Sequence, residues 1–207
     1  MDVPLTTTIL LVRHGQTESN ITGFYMGRSD EDINERGYIQ ASCLASRLAK
    51  LPISLVYTSP LMRAHSTASI LAMPQRLEPK LSDDLIEIQL GDWQGLHMDE
   101  IKQRWSELWH DWRVDPSNLT LPHGENLSEV TERAVNVFER IVGSDQGKQV
   151  VVVTHDVIIK VLVAHVLRVS NRIYRKFNIS NASLSMIQVV RGNPRLVMLN
   201  DTSHFED

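Results

Sequence analysis

The sequence predicts an α/β fold built on a largely parallel sheet. Apolar β-branched runs alternate with segments of helical periodicity along the 207 residues, the pattern that strands connected by crossover helices leave. Two of the runs, ILLVR and QVVVVT, are uninterrupted, as strands covered on both faces are. There is no internal repeat, low-complexity tract or linker, and the length suits one domain spanning residues 1–207.

The elements follow in order. Residues 8–13 read as a strand, and a polar loop then leads to a helix over 35–50 with Ile39, Cys43, Leu44 and Leu48 on one face. SLVYTS, 54–59, is a short strand; residues 61–72 form a helix behind Pro60. Residues 98–113 read as helical, with Trp105, Trp109 and Trp112 at packing positions. The helix over 126–141 starts with a capping box, Asn126 and Glu129, and places Leu127, Val130, Ala134, Val137 and Ile141 on its apolar face. Gly143 is expected just past its last turn. The strand 149–154 precedes an apolar helix, 157–167, and two late strands, 183–190 and 195–199, flank a turn at Gly192-Asn193-Pro194.

Composition narrows the function. Net charge is 21 − 25 = −4 and no basic stretch is long enough to follow a nucleic-acid backbone. The greasiest run, VIIKVLVAHVL, carries Lys160 and His165 and is too short to span a bilayer. One cysteine, Cys43, forbids an internal disulfide, and MDVPLTTT lacks the basic start and apolar core of a signal peptide. The expected setting is the cytoplasm, with no nucleic-acid or membrane partner; the oligomeric state is left open.

Open α/β sheets bind ligands beyond the carboxyl ends of their strands. His14 follows ILLVR and His155 follows VVVVT, so both fall on that edge if the strands are parallel neighbours. SLVYTS ends there too, and the next helix carries Arg63 in its first turn. Metal binding fits poorly. None of the eight histidines forms an H-x-x-x-H pair, no Cys pair helps, and Arg13 and Arg63 would repel a divalent ion. GSDQGK is a residue short of a phosphate loop and precedes its strand, and no G-x-S-x-G elbow is present. Two arginines and two histidines suit a phosphoryl group, whose transition state spreads charge over three oxygens that guanidinium forks match. A neutral imidazole can attack phosphorus, and a second, protonated one can donate to an oxygen. Glu87, among Leu85, Ile86, Ile88 and Leu90, is the candidate proton donor, because an apolar pocket favours the neutral carboxyl.

These segments resemble the histidine phosphatase, or phosphoglycerate mutase-like, superfamily. Its L-x-R-H-G-x-T-x-x-N hallmark is met by Leu11, Arg13, His14, Gly15, Thr17 and Asn20. YTSPLMRAHSTA, LIEIQLGDWQG, LPHGENLSEV, VVVVTHD and LNDTSHF resemble its further segments, in order along nearly the whole chain. The resemblance implies a three-layer α/β/α domain with one reversed strand and phosphomonoesterase activity toward small phosphorylated metabolites, without metal or other cofactor. It also implies that His14 is phosphorylated, that Arg13, Arg63 and His155 hold the phosphoryl oxygens, and that Glu87 is the acid. Gln16, Thr17, Asn20, Gly27, Asp156 and His204 are expected to contact substrate. Gln16 and Met26 depart from the common pattern, as does Asp156, which stands where Gly is usual and whose carboxylate is expected to point off the site. A phosphoglycerate mutase is the alternative, and a non-catalytic phospholigand binder a further one.

Overall fold

The computed structural model describes residues 5–205. The N-terminal tetrapeptide, part of the segment read above as lacking a signal peptide's basic start, lies outside them. The chain forms β1 (Thr6–Arg13), α1 (Glu18–Thr22), β2 (Phe24–Tyr25), α2 (Glu35–Leu48), β3 (Ile53–Thr58), α3 (Met62–Ala72) and β4 (Lys80–Leu81). It continues through β5 (Leu96–His97), α4 (Met98–Arg104), α5 (Ser106–Val114), α6 (Leu127–Ser144), β6 (Gln149–Thr154), α7 (Asp156–Val166), β7 (Leu184–Val190) and β8 (Asn193–Asp201).

Six strands make one sheet in the order β4-β3-β6-β1-β7-β8. β4, β3, β6 and β1 are mutually parallel; β7 pairs antiparallel with both β1 and β8, so it alone runs against the others. The uninterrupted apolar runs are explained by what lies on each face. Ile9 and Leu11 of β1, with Val150 and Val152 of β6, pack into the core shared with α6 and α7. Leu10, Val12, Val151 and Val153 pack into the core shared with α2 and α3. Every position from Ile9 to Val12 and from Val150 to Val153 is inside one core or the other, and each such side chain contributes roughly 1.5–3 kcal/mol by leaving water. Among the described residues no helix is long and apolar enough to cross a membrane.

Several boundaries differ from the sequence reading. The helix expected over 98–113 is broken at Trp105, whose backbone (φ −135, ψ 56) closes α4 and opens α5. The capping box of α6 forms as read, with the Asn126 side chain accepting from the Ser128 and Glu129 N–H groups, but Gly143 lies inside the helix, which ends one residue later. The late hairpin turns at Arg191 and Gly192, both with positive φ, and β8 already includes Asn193 and Pro194. On α2 the buried face is Gly37, Gln40, Ala41, Leu44, Ala45 and Leu48; Ile39 falls outside it and is exposed, and the N-terminal end of the face is glycine where the helix meets the chain leaving β1.

That close approach is made by two glycines. A Cβ on Gly15 would lie 2.7 Å from the Gly37 carbonyl oxygen, and one on Gly37 would overlap the Gln16 carbonyl. Helix propensity alone would make Gly37→Ala stabilising by about 1 kcal/mol. The overlap with rigid backbone should outweigh it, as overpacking costs roughly 1–3 kcal/mol. A lower urea midpoint for Gly37→Ala than for the parent protein is expected; a higher one would mean that the loop yields freely.

Candidate active site

The parallel register of β1 and β6 pairs Arg13 with Thr154, so the next residues, His14 and His155, emerge side by side. Their ring centroids are 5.2 Å apart, and the His14 N–H donates to the Thr154 carbonyl at 3.0 Å. β3 delivers Ser59 to the same edge, where its N–H donates to the Val153 carbonyl at 3.1 Å. The turn at Pro60 starts α3 and brings in Arg63, which is buried. Its guanidinium donates to the Ser29 carbonyl at 2.9 Å and the Gly27 carbonyl at 2.6 Å, tying the loop before α2 to the site. Arg13 Nη1 donates to the Ile179 carbonyl at 2.6 Å, while its buried Nε has no hydrogen-bond partner among the described residues.

His14 is fixed in one tautomer. Its Nδ1–H donates to the Gly15 carbonyl at 2.7 Å, leaving the Nε2 lone pair free. Burial, then Arg13, then Arg63 hold its pKa well below the ordinary imidazole value, so the ring is neutral. Desolvation is the largest of these causes. The sequence reading assigned His155 a proton. Burial and Arg63 instead drive His155 to the neutral form as well. Its Nε2 lies 2.8 Å from Ser59 Oγ, and its buried Nδ1 has no partner among the described residues. A neutral ring with the Ser59 hydroxyl on Nε2 still donates through Nδ1–H. Glu87 is pushed up to about 7, by burial first and Asp156 further, against the Ile88 N–H it accepts and the two arginines. It is therefore half protonated near neutrality.

One cavity of about 240 Å³ takes its walls from these groups: His14, Arg13, Arg63, Glu87, Asn20 and Gly27 all line it. Gly27, at φ +51, is where a side chain would run into the Gln94 and Leu90 side chains. Asn20 accepts from the Thr17 N–H and from Asn181. His155 is fully buried and is not among the residues on the wall, contrary to the expectation that it holds the phosphoryl oxygens there. Asp156 does line the cavity, contrary to the expectation that it turns away; one carboxylate oxygen sits 3.0 Å from Lys160, one helical turn along α7. Three expected contact residues are not on the wall. Gln16 directs its Oε1 to Asn34 at the start of α2. Thr17 is fully buried as the N-cap of α1. His204 donates to the Ala182 carbonyl at 3.0 Å, and the Ala182 N–H in turn donates to the His14 carbonyl, so the tail braces the back of the histidine loop. Among the described residues no three His, Cys, Asp or Glu side chains are grouped to hold a metal ion.

Other residues had no signal in the sequence. Arg133, on the polar side of α6, donates to the Asp84, Ile86 and Glu87 carbonyls and grips Glu125 with two nitrogens. Arg28 donates to the same Glu87 carbonyl and to Glu125. This Arg28–Glu125–Arg133 clamp holds the segment that presents Glu87. Asn181, from the loop before β7, donates toward the His14 carbonyl and Asn20. Tyr25 also lines the cavity, together with Trp112, Tyr174 and Arg175 from segments the sequence does mark, the tryptophan-bearing helical region and the basic run NRIYRKF.

The chain is similar to known proteins. Phosphoserine phosphatase 1 of Hydrogenobacter thermophilus is 33% identical over 196 residues, 95% of this chain and 93% of that protein. The metal-independent phosphoserine phosphatase of Arabidopsis thaliana is 30% identical over 205 residues, 96% of this chain and 83% of that one. Among solved structures, Bacillus stearothermophilus YhfR superposes with a TM-score of 0.93 at 30% identity, covering 97% of this chain and all (100%) of that one. The sequence model describing the histidine phosphatase superfamily (branch 1) matches residues 9–202. Matched over almost its full length, the chain belongs to the histidine phosphatase superfamily.

Proposed function

We propose that the protein is a single-domain, metal-independent phosphomonoesterase, working in the cytoplasm on small phosphorylated metabolites through a phosphohistidine on His14. The observation that carries this reading is the anchored, neutral His14, its Nε2 free in a cavity that also presents two guanidinium groups and a half-protonated carboxyl. A mycobacterial glucosyl-3-phosphoglycerate phosphatase of known structure (TM-score 0.85, 30% identity, 93% of this chain and 98% of that one) supports the substrate class, as do the phosphoserine phosphatases.

The phosphoryl dianion binds between Arg13 and Arg63, beside His14 on the cavity wall. His14 Nε2 attacks phosphorus, the ester P–O bond breaks, and Glu87 gives its proton to the departing alkoxide. The carboxylate so formed takes a proton from water as that water attacks the phosphohistidine. The P–N bond breaks, inorganic phosphate leaves, and His14 is again neutral. The guanidinium groups neutralise charge that grows on the equatorial oxygens, and burial strengthens that effect.

The deciding experiment offers a panel of phosphomonoesters and measures released phosphate, with isomerised phosphoglycerate as the readout for a mutase. Free phosphate from the parent protein, and none from His14→Ala, is expected; isomerisation without release would replace this reading with the mutase. Arg63→Met should lower kcat by about 10²–10³, the scale for one lost oxyanion donor.

Glu87 makes a pH prediction whose sign is fixed. Its proton is needed for the first step, so kcat/KM for alkyl phosphates should fall as pH rises through about 7. Glu87→Gln should remove that limb and cost about 10²–10⁴ in rate, with a smaller loss for p-nitrophenyl phosphate, whose leaving group needs no proton. The folded-state pKa is raised, so the native protein loses stability as pH climbs from the ordinary carboxylate range through about 7. Glu87→Gln should therefore gain about 2–3 kcal/mol on the parent between pH 5 and pH 8. Denaturant curves at the two pH values check it, and a constant gap would mean that Glu87 titrates normally.

A further inference from the structure

The edge strand β8 leaves regular pairing close to its end. Leu184 of β7 faces Asp201 and Met186 faces Met198, so β8 carries one residue more than β7 between these pairs. Inside that stretch Asn200 takes a positive φ of 55°. A bulge of this kind re-aims a side chain, and asparagine is among the few residues that enter the left-handed region readily. The Asn200 N–H donates to a side chain, Ser185 Oγ, at 3.0 Å.

The Asn200 amide, so aimed, takes hold of Ser180. Its Oδ1 accepts from the Ser180 N–H at 2.6 Å, and its Nδ2 donates to Ser180 Oγ at 3.4 Å. The Ser180 N–H shares one planar peptide group with the Ile179 carbonyl, and that carbonyl accepts from Arg13 Nη1 at 2.6 Å. A single peptide unit is therefore gripped on both sides, by the Asn200 oxygen and by the Arg13 guanidinium. Hydrogen bonds chained in this way polarise one another, and turning the peptide would break both. The next two residues of the loop reach the nucleophile's own backbone. Asn181 Nδ2 and the Ala182 N–H donate to the His14 carbonyl at 3.2 Å and 3.1 Å.

Arg63 is tied to two carbonyls, those of Gly27 and Ser29. Arg13 is tied at Ile179, and its Nε has no partner among the described residues. Its aim thus depends on one peptide. If β8 needed only the turn at residue 200, glycine would serve without strain; the amide adds the grip on Ser180.

We propose that Asn200 is a positioning residue for phosphoryl transfer: by fixing the Ile179–Ser180 peptide it sets where the Arg13 guanidinium meets the phosphoryl oxygens. This rests on the phosphatase reading above and extends it to a side chain that is not on the cavity wall.

The test replaces Asn200 by Gly, which keeps the turn and removes the amide. With p-nitrophenyl phosphate as substrate, kcat/KM should fall by about 10- to 100-fold, the scale of a small misplacement of a reacting group. Inorganic phosphate should inhibit about tenfold more weakly, as one charge-assisted contact is lost. Asn200→Asp, which keeps an acceptor for the Ser180 N–H, should restore most of both. In an Arg13→Met background Asn200→Gly should change either quantity by less than about twofold, because the two residues act as a unit. Parent-like values in Asn200→Gly, or an equal further loss in the Arg13→Met background, overturn the proposal while leaving a phosphatase in place. Urea curves accompany each variant. If Asn200→Gly does not fold, Asn200→Ala takes its place, and failure of both makes Asn200 a folding residue and overturns the proposal. If the parent hydrolyses no ester, the phosphatase reading fails and calorimetry with inorganic phosphate decides. About tenfold weaker binding to Asn200→Gly than to the parent then upholds the positioning role; equal or undetectable binding in both overturns it.

Discussion

The parallel pairing of β1 with β6 is the constraint on which the site depends. The two strands are separated by more than a hundred residues of chain, yet their register sets Arg13 against Thr154. A slip of one residue would turn each inward side chain to the other face and separate the two imidazoles. The slip is resisted because each strand is apolar on both faces and feeds two distinct cores. Hydrophobic patterning thus does more than stabilise the sheet: it aligns two strand ends, and β3 adds a third with Arg63 beyond it.

Around that edge, burial tunes the titratable groups. Dehydration drives His14 and His155 toward the neutral base and Glu87 toward the neutral acid. The arginines sharpen the first effect and oppose the second, but desolvation leads in all three. Neutral imidazoles beside fixed guanidinium groups keep the cavity receptive to a dianion without adding a proton that would block attack. The cost is borne by neighbours: carbonyls of Gly15, Gly27, Ser29 and Ile179 are all committed to holding the charged or reacting side chains.

The sheet, its helices and the innermost residues were legible in the sequence because each left a local mark. Uninterrupted β-branched runs marked the central strands; a histidine after two of them marked the edge; Asn126 and Glu129 marked the start of α6. What was hidden depends on contacts remote in sequence. Arg133 looks like any polar-face residue of an amphipathic helix, and nothing near it points to the Glu87 carbonyl. Gln16 and His204 belong to recognisable segments, yet their side chains are drawn off by Asn34 and by the Ala182 carbonyl. The break at Trp105 was masked because Trp105, Trp109 and Trp112 keep helical spacing with one another. His155 was read as charged because a position beside a phosphoryl group invites a proton, and the depth of its burial, which decides otherwise, is a property of the fold.

The hydrogen bond from His14 Nδ1 to the Gly15 carbonyl also dictates regiochemistry. The ring cannot flip without breaking that bond, and Asn181 reaches both the His14 and Gly15 carbonyls from the other side. Of the two isomeric phosphoramidates an imidazole can form, only the tele adduct, on the nitrogen farther from the side-chain stem, is compatible with this pocket; the pros isomer would require the loop to be rebuilt.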